Sequence, residues 1–193
     1  SIQLIPVDQY ALKLNSDLVT SINSTYLLLG MGAFFDMTQQ NMIEESVYPL
    51  QAANYMADTS PPILLSFSVD MNHGVLSLMF NEPVNVSSIN YNHFILQSDN
   101  DPVSTSDLSL TSGFTNSSNG LLVHVIISDD DLNEIKRLEQ LYTDISDSYL
   151  RFTQNAVRDM AGNAVITIMS FEALQAMAYD DDMTRPALLS FDL

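Results

Sequence analysis

Carboxylates are the most abundant ionisable side chains of this sequence: 24 Asp and Glu stand against 6 Lys and Arg in 193 residues, a formal charge of −18. They cluster at Asp129-Asp130-Asp131 and Asp180-Asp181-Asp182, with Asp58 alone at a comparable place. A hard cation such as calcium takes about six to eight oxygen ligands, and junctions between β-domains can gather them from both neighbours. Asp58, Asp159 and Asp182 are the candidate calcium ligands, and calcium is the one cofactor these residues suggest. The competing reading is a set of solvated acidic loops with a helix N-cap among them. Asp180 and Asp181 favour it, because Met56 and Ala57 occupy the corresponding places in an earlier copy of the same segment.

Catalytic chemistry has little to build on. Glu82 follows an alternating apolar run and precedes Pro83, a place where a carboxylate serves better as an acceptor of backbone N–H bonds than as a general base. His73, His93 and His124 share no metal-ligand spacing with one another. The chain has no cysteine, hence no disulfide, no zinc–thiolate site and no cysteine nucleophile. No nucleophile, base and orienting group recur at a useful spacing, so a non-enzymatic protein is expected.

Composition excludes further classes. Phosphate contacts need Lys or Arg, so the acidic balance argues against nucleic acid and against an anionic membrane surface. The longest apolar run, Tyr26 to Phe35, is about half the length of a bilayer span. Three N-x-Ser/Thr sequons occur, at Asn23, Asn85 and Asn116, and 15 Asn with 34 Ser and Thr make about three expected by chance. All three fall at strand ends or in loops, where a glycan has room.

The elements that position these residues follow from an internal repeat. Asp8 to Met37 lies over Asp131 to Met160 at an offset of 123 with 10 of 30 residues identical. After one inserted residue, Leu50 to Val69 lies over Leu174 to Leu193 at an offset of 124 with 10 of 20 identical. Random pairing gives about one identity in fifteen to twenty, so the two segments are copies. The expected organisation is the C-terminal half of one repeat over 1–57, a complete repeat over 58–181 and the first strand of another over 182–193. Within the complete repeat Leu76, Leu78 and Phe80 alternate with Val75, Ser77 and Met79, the pattern of a strand with one buried face. Further strands are expected at Pro62 to Val69, His93 to Gln97, Leu108 to Thr111, Gly120 to Ile127, Tyr149 to Gln154 and Ala164 to Ser170. Turn chemistry separates them at Asn72-His73-Gly74, Asn100-Asp101-Pro102, Asn116 to Gly120 and Ala161-Gly162-Asn163. Seven short strands predict an antiparallel β-sandwich. Asp131 to Tyr142 instead places Leu132, Ile135, Leu138 and Tyr142 on one helical face, and Asp131 with Glu134 fits a capping box.

The run from Asp58 to Asn85, with Gly74, Leu76, Leu78, Phe80, Glu82, Pro83 and Val84, resembles the opening of the immunoglobulin-like repeats found in tandem in large bacterial surface proteins and in secreted proteins of aquatic eukaryotes. Val157, Asp159, Gly162 and Asn163 resemble the V-x-D-x-x-G-N turn before the last strand of those repeats. The first copy departs from it, with Gln39-Gln40-Asn41 following Thr38 where the second has Gly162-Asn163. The resemblance implies an all-β fold, immunoglobulin-like antiparallel sandwich repeats of about 124 residues, each with one short helix. It also implies an extracellular or cell-surface structural protein, a fibre, stalk or filament whose partners are neighbouring repeats and N-linked glycans. The alternative is a cell-surface adhesin whose repeats are stiffened by calcium.

Overall fold

The chain folds as two units, Ser1–Thr59 and Ser60–Leu193. The computed structural model describes residues 3–38, 48–101, 103, 106–188 and 190.

In the first unit, helix α1 (Pro6–Leu14) has its proline in the first turn, where a missing N–H costs nothing. Asp8 lies in its first turn and Lys13 in its last, each at the end of the helix dipole that favours its charge. A short 3-10 turn, Ile22–Ser24, leads into β1 (Tyr26–Leu27), which pairs antiparallel with β2 (Leu50–Gln51).

The second unit is rich in strands: β3 (Leu64–Asp70), β4 (Val75–Asn85), β5 (Phe94–Gln97), β6 (Asp107–Ser109), β7 (Gly113–Phe114) and β8 (Gly120–Ile127) precede helix α2 (Asp129–Arg137). After it come β9 (Tyr149–Phe152), β10 (Arg158–Asp159), β11 (Leu174–Gln175) and β12 (Ala178–Asp180). One sheet runs in the order β12-β3-β4-β8-β7, with β10 also on β4, and a second runs β11-β9-β5-β6. Alternation decides which side each strand buries. Leu76, Leu78 and Phe80 are buried, whereas Val75, Ser77 and Met79 are half-exposed. Residues of both sheets join one apolar cluster, in which the Phe152 ring lies 4.7 Å from that of Phe94 and 6.5 Å from that of Phe80. Gly74 makes the β3–β4 turn possible: its φ is +64°, and a Cβ there would meet Leu132 Cδ2 at 2.8 Å.

Several expected elements are corrected. Ala164 to Ser170 is not a strand. Among its backbone bonds, Val165 N–H donates to Val157, Ile166 to Pro62 and Ile168 to Phe152, so successive residues bond to different segments and no ladder forms. Only an isolated bridge, Arg158 to Ala164, remains. The chain instead forms β11 and β12, and β12 joins β3 in parallel, so the first sheet is not wholly antiparallel. Helix α2 starts at Asp129 rather than Asp131 and ends at Arg137. Its cap is Ser128, whose side chain accepts from Asp131 N–H, while Asp131 itself turns inward. Tyr142 lies beyond the helix but is buried all the same. Of the residues expected in the Asn100-Asp101-Pro102 turn, Pro102 lies outside the described residues. So do Gln39-Gln40-Asn41 and, within the expected first strand of another repeat over 182–193, residues 189 and 191–193.

The sequence repeat is also a repeat of structure. At the offset of 123, Pro6–Leu14 falls on Asp129–Arg137, Ile22–Ser24 on Ile145–Asp147, and Tyr26–Leu27 on the first two residues of β9. At 124, Leu50–Gln51 falls on Leu174–Gln175. The register is the same in both: Leu27 opposes Leu50 as Leu150 opposes Leu174. Val19 and Tyr142, equivalent residues, both adopt a left-handed backbone, with φ of 53° and 57°, and their N–H groups donate to Ser24 and Asp147, each at 3.2 Å. A β-branched residue in that region is unusual, so the turn geometry, rather than the side chain placed there, is what the two copies share. Gln51 Nε2 and Gln175 Nε2 donate to the Ile22 and Ile145 carbonyls at 3.1 and 3.0 Å.

Candidate functional site

Glu82 lies where β4 departs from simple alternation. The β4–β8 register shifts between Met79 and Val84, and Glu82, Pro83 and Val84 are all buried. Strand β10 pairs with the end of β4, setting Asp159 opposite Val84. Two carboxylates that are 77 positions apart in sequence thereby come together, with oxygens of Glu82 and Asp159 within 4.8 Å. They are 4% and 2% exposed. Like charges at that spacing in a poorly hydrated place call for hydrogen-bond donors or a cation between them.

Asp159 also organises its own turn. Its Oδ1 accepts from Ala161 N–H at 2.9 Å and Asn163 N–H at 2.7 Å, and its Oδ2 accepts from Asn163 Nδ2 at 2.8 Å. Gly162 closes that turn at φ +92°. Asn163 Nδ2 reaches on to the Ser60 carbonyl at 3.3 Å, tying the turn to the start of the unit.

The other two candidate calcium ligands meet lysines. Lys13 Nζ lies 2.7 Å from Asp58 Oδ2 in the first unit, and Lys136 Nζ lies 2.8 Å from Asp182 Oδ2 in the second. These pairs are equivalent in the repeat, since Lys136 corresponds to Lys13 and Asp182 to Asp58. The hydrogen bond from Lys136, followed by that from Thr184 N–H, holds the Asp182 carboxyl below the ordinary carboxylate range. Within the second unit Asp159 is therefore brought beside Glu82, and Asp182 beside Lys136. Glu82 and Asp159 stand as separate residues in the sequence because their meeting depends on a long-range register. The lysine–aspartate pairs had a visible signal, as all four residues lie among the identities of the two copies.

The remaining polar candidates have local partners. Asp131 accepts from Thr111 N–H at 2.8 Å, Thr111 Oγ1 at 2.9 Å and Ser112 N–H at 3.1 Å. Burial acts to raise its pKa, but the bonds from Ser112 and Thr111 outweigh it and hold the carboxyl below its ordinary value. His73 Nδ1 lies 2.7 Å from Asp70, His93 Nδ1 2.6 Å from Thr153 Oγ1 and His124 Nδ1 2.8 Å from Ser77 Oγ, so the three imidazoles serve three separate places. Tyr179 donates to the Tyr142 carbonyl at 2.8 Å. Burial, with the carboxylates of Asp181, Asp147, Asp144 and Asp182 nearby, pushes its hydroxyl up to about 12, so it stays a donor.

Asn23 is exposed in the 3-10 turn and Asn116 is exposed in the loop before β8. Asn85 is half-buried at the end of β4, with its Oδ1 accepting from Ser87 N–H at 3.0 Å. Among the described residues no helix is long and apolar enough to cross a membrane. Comparison of the chain with family models, with curated proteins and with solved structures finds no match.

Proposed function

We propose that this chain is a segment of an extracellular structural protein, a tandem array of immunoglobulin-like β-sandwiches of about 124 residues that forms a fibre, stalk or surface filament. The observation that carries the reading is the double occurrence of one architecture: helix, 3-10 turn, short antiparallel pair and linker lysine–aspartate bridge recur at the same spacing. Two sheets contributing to one core support the sandwich. Repetition supplies length, because each unit in such an array is a stable module whose contacts are with its neighbours. The carboxylates and histidines have local structural partners, which favours a role without catalysis. Glycans at one or more of Asn23, Asn85 and Asn116 fit the exposure of two of them and the strand-end position of the third. Negative-stain imaging of native material tests the proposal. Regular filaments are expected, and compact isolated particles would overturn it.

The Glu82–Asp159 pair favours a second reading, an adhesin whose repeats are stiffened by calcium. Both oxygens are hard donors of the kind calcium prefers. A melting temperature that falls by more than a few degrees on adding EDTA would select this reading. An unchanged one selects the first. Intact-mass analysis before and after enzymatic deglycosylation reads the glycans, and an unchanged mass in eukaryotic material removes them from the account.

A further inference from the structure

The equivalence of the two copies identifies what one of them lacks. In the second unit Leu141, Leu150 and Val157 are 0%, 0% and 1% exposed. Their equivalents in the first unit, Leu18, Leu27 and Phe34, are 48%, 52% and 41% exposed. The backbones match in register and in hydrogen bonding, so the difference is in what covers the face. In the second unit the cover is residues 60–127: β5 pairs along β9, setting Leu96 opposite Leu150 and Gln97 opposite Tyr149, and β4 and β8 complete the cluster. Among the described residues, only β2 pairs with β1. Leu141, Leu150 and Val157 share one buried cluster, so their exposed equivalents mark an interface, and a short two-stranded ribbon is marginal by itself.

We propose that the apolar face of the first unit is a docking surface for a polypeptide segment with the strand pattern of residues 60–127, joined in the same chain directly ahead of α1. A strand equivalent to β5 lies along the open edge of β1, with its counterpart of Leu96 opposite Leu27 and its counterpart of Gln97 opposite Tyr26. The connection follows from the complete copy, where residue 127 leads into α2 through Ser128 alone. Exchanges on the face nearly conserve volume, with Phe34 larger than Val157 and Val19 smaller than Tyr142, so a borrowed covering segment of this chain suits it. The proposal rests on the tandem-array reading but is separable from it, since an array could also contain a first unit that is sufficient by itself.

The test joins a second copy of residues 60–127 directly to Ile5 of the full chain. Hydrogen exchange over residues 26–29 should slow by at least about 100-fold relative to the unfused chain, and binding of an apolar fluorescent dye should fall. Exchange at 26–29 that stays unchanged in the fusion overturns the proposal. So does protection in the unfused chain equal to that of residues 149–152, or a dimer of the unfused chain that provides the protection itself. A second variant guards against misfolding of the fusion. In the unfused chain, Leu27→Asp with Phe34→Asp should remove most of the dye binding while the melting of the second unit stays put, and undiminished dye binding overturns the proposal.

Discussion

Asp131 shows how one buried carboxylate is spent on structure. Its oxygens accept three bonds from Thr111 and Ser112, joining the segment ahead of β7 to the first turn of α2. Asp131→Ala should cost about 1 to 3 kcal/mol, because two backbone N–H groups are left without their acceptor. The cost should depend on pH in a defined direction. The folded carboxyl is held below its ordinary value, so its contribution is complete above the unfolded value of about 3.9. It is lost as pH falls through the lower folded value. Urea unfolding of both proteins at pH 7 and near pH 2.5 measures this, and a gap between them that is as wide in acid as at neutrality would contradict it. The spacing of Asp131 and Glu134 reads as a capping box from sequence, and the structure gives the cap to Ser128. Both residues have capping side chains, and what separates them is the position of Thr111, twenty residues away, which sequence-local reasoning does not see.

At the scale of elements, strands with one buried face were the most legible. Leu76, Leu78 and Phe80 fall on the inner face of β4 as their alternation requires, and a slip of one residue would exchange the faces. Phe80→Ala should destabilise the second unit by about 3 to 5 kcal/mol through lost transfer energy and a cavity. A loss under about 1 kcal/mol by chemical denaturation would show that Phe80 is not a core residue. The segment from Ala164 to Ser170 misled because its alternation is real, with Val165 buried and Ile166 exposed, while its hydrogen bonds are shared among three segments. Side-chain period reports which face is buried and says nothing about ladder continuity. The meeting of Glu82 with Asp159 was hidden for a related reason, since it is set by the β4–β10 register. The Lys136–Asp182 bridge, with both side chains about one-third exposed, is a surface pair, and a double-mutant cycle should give only a weak coupling. The coupling should shrink further in 1 M salt, where screening acts over about 3 Å. A large, salt-independent value would assign the bridge a different role.

The molecule as a whole is a recurrence: the elements of the first unit return in the second with the same register, the same left-handed turn and the same linker bridge. Absence of cysteine means that reductant should leave this architecture unaffected. The central claim is that complete repeats stand in tandem and fold one by one, and forced extension of the native polypeptide tests it most directly. Each repeat of about 124 residues should release chain on the order of 400 Å when it opens, so the force record should show a series of events separated by that one increment. A single large event, or increments with no common length, would contradict the claim.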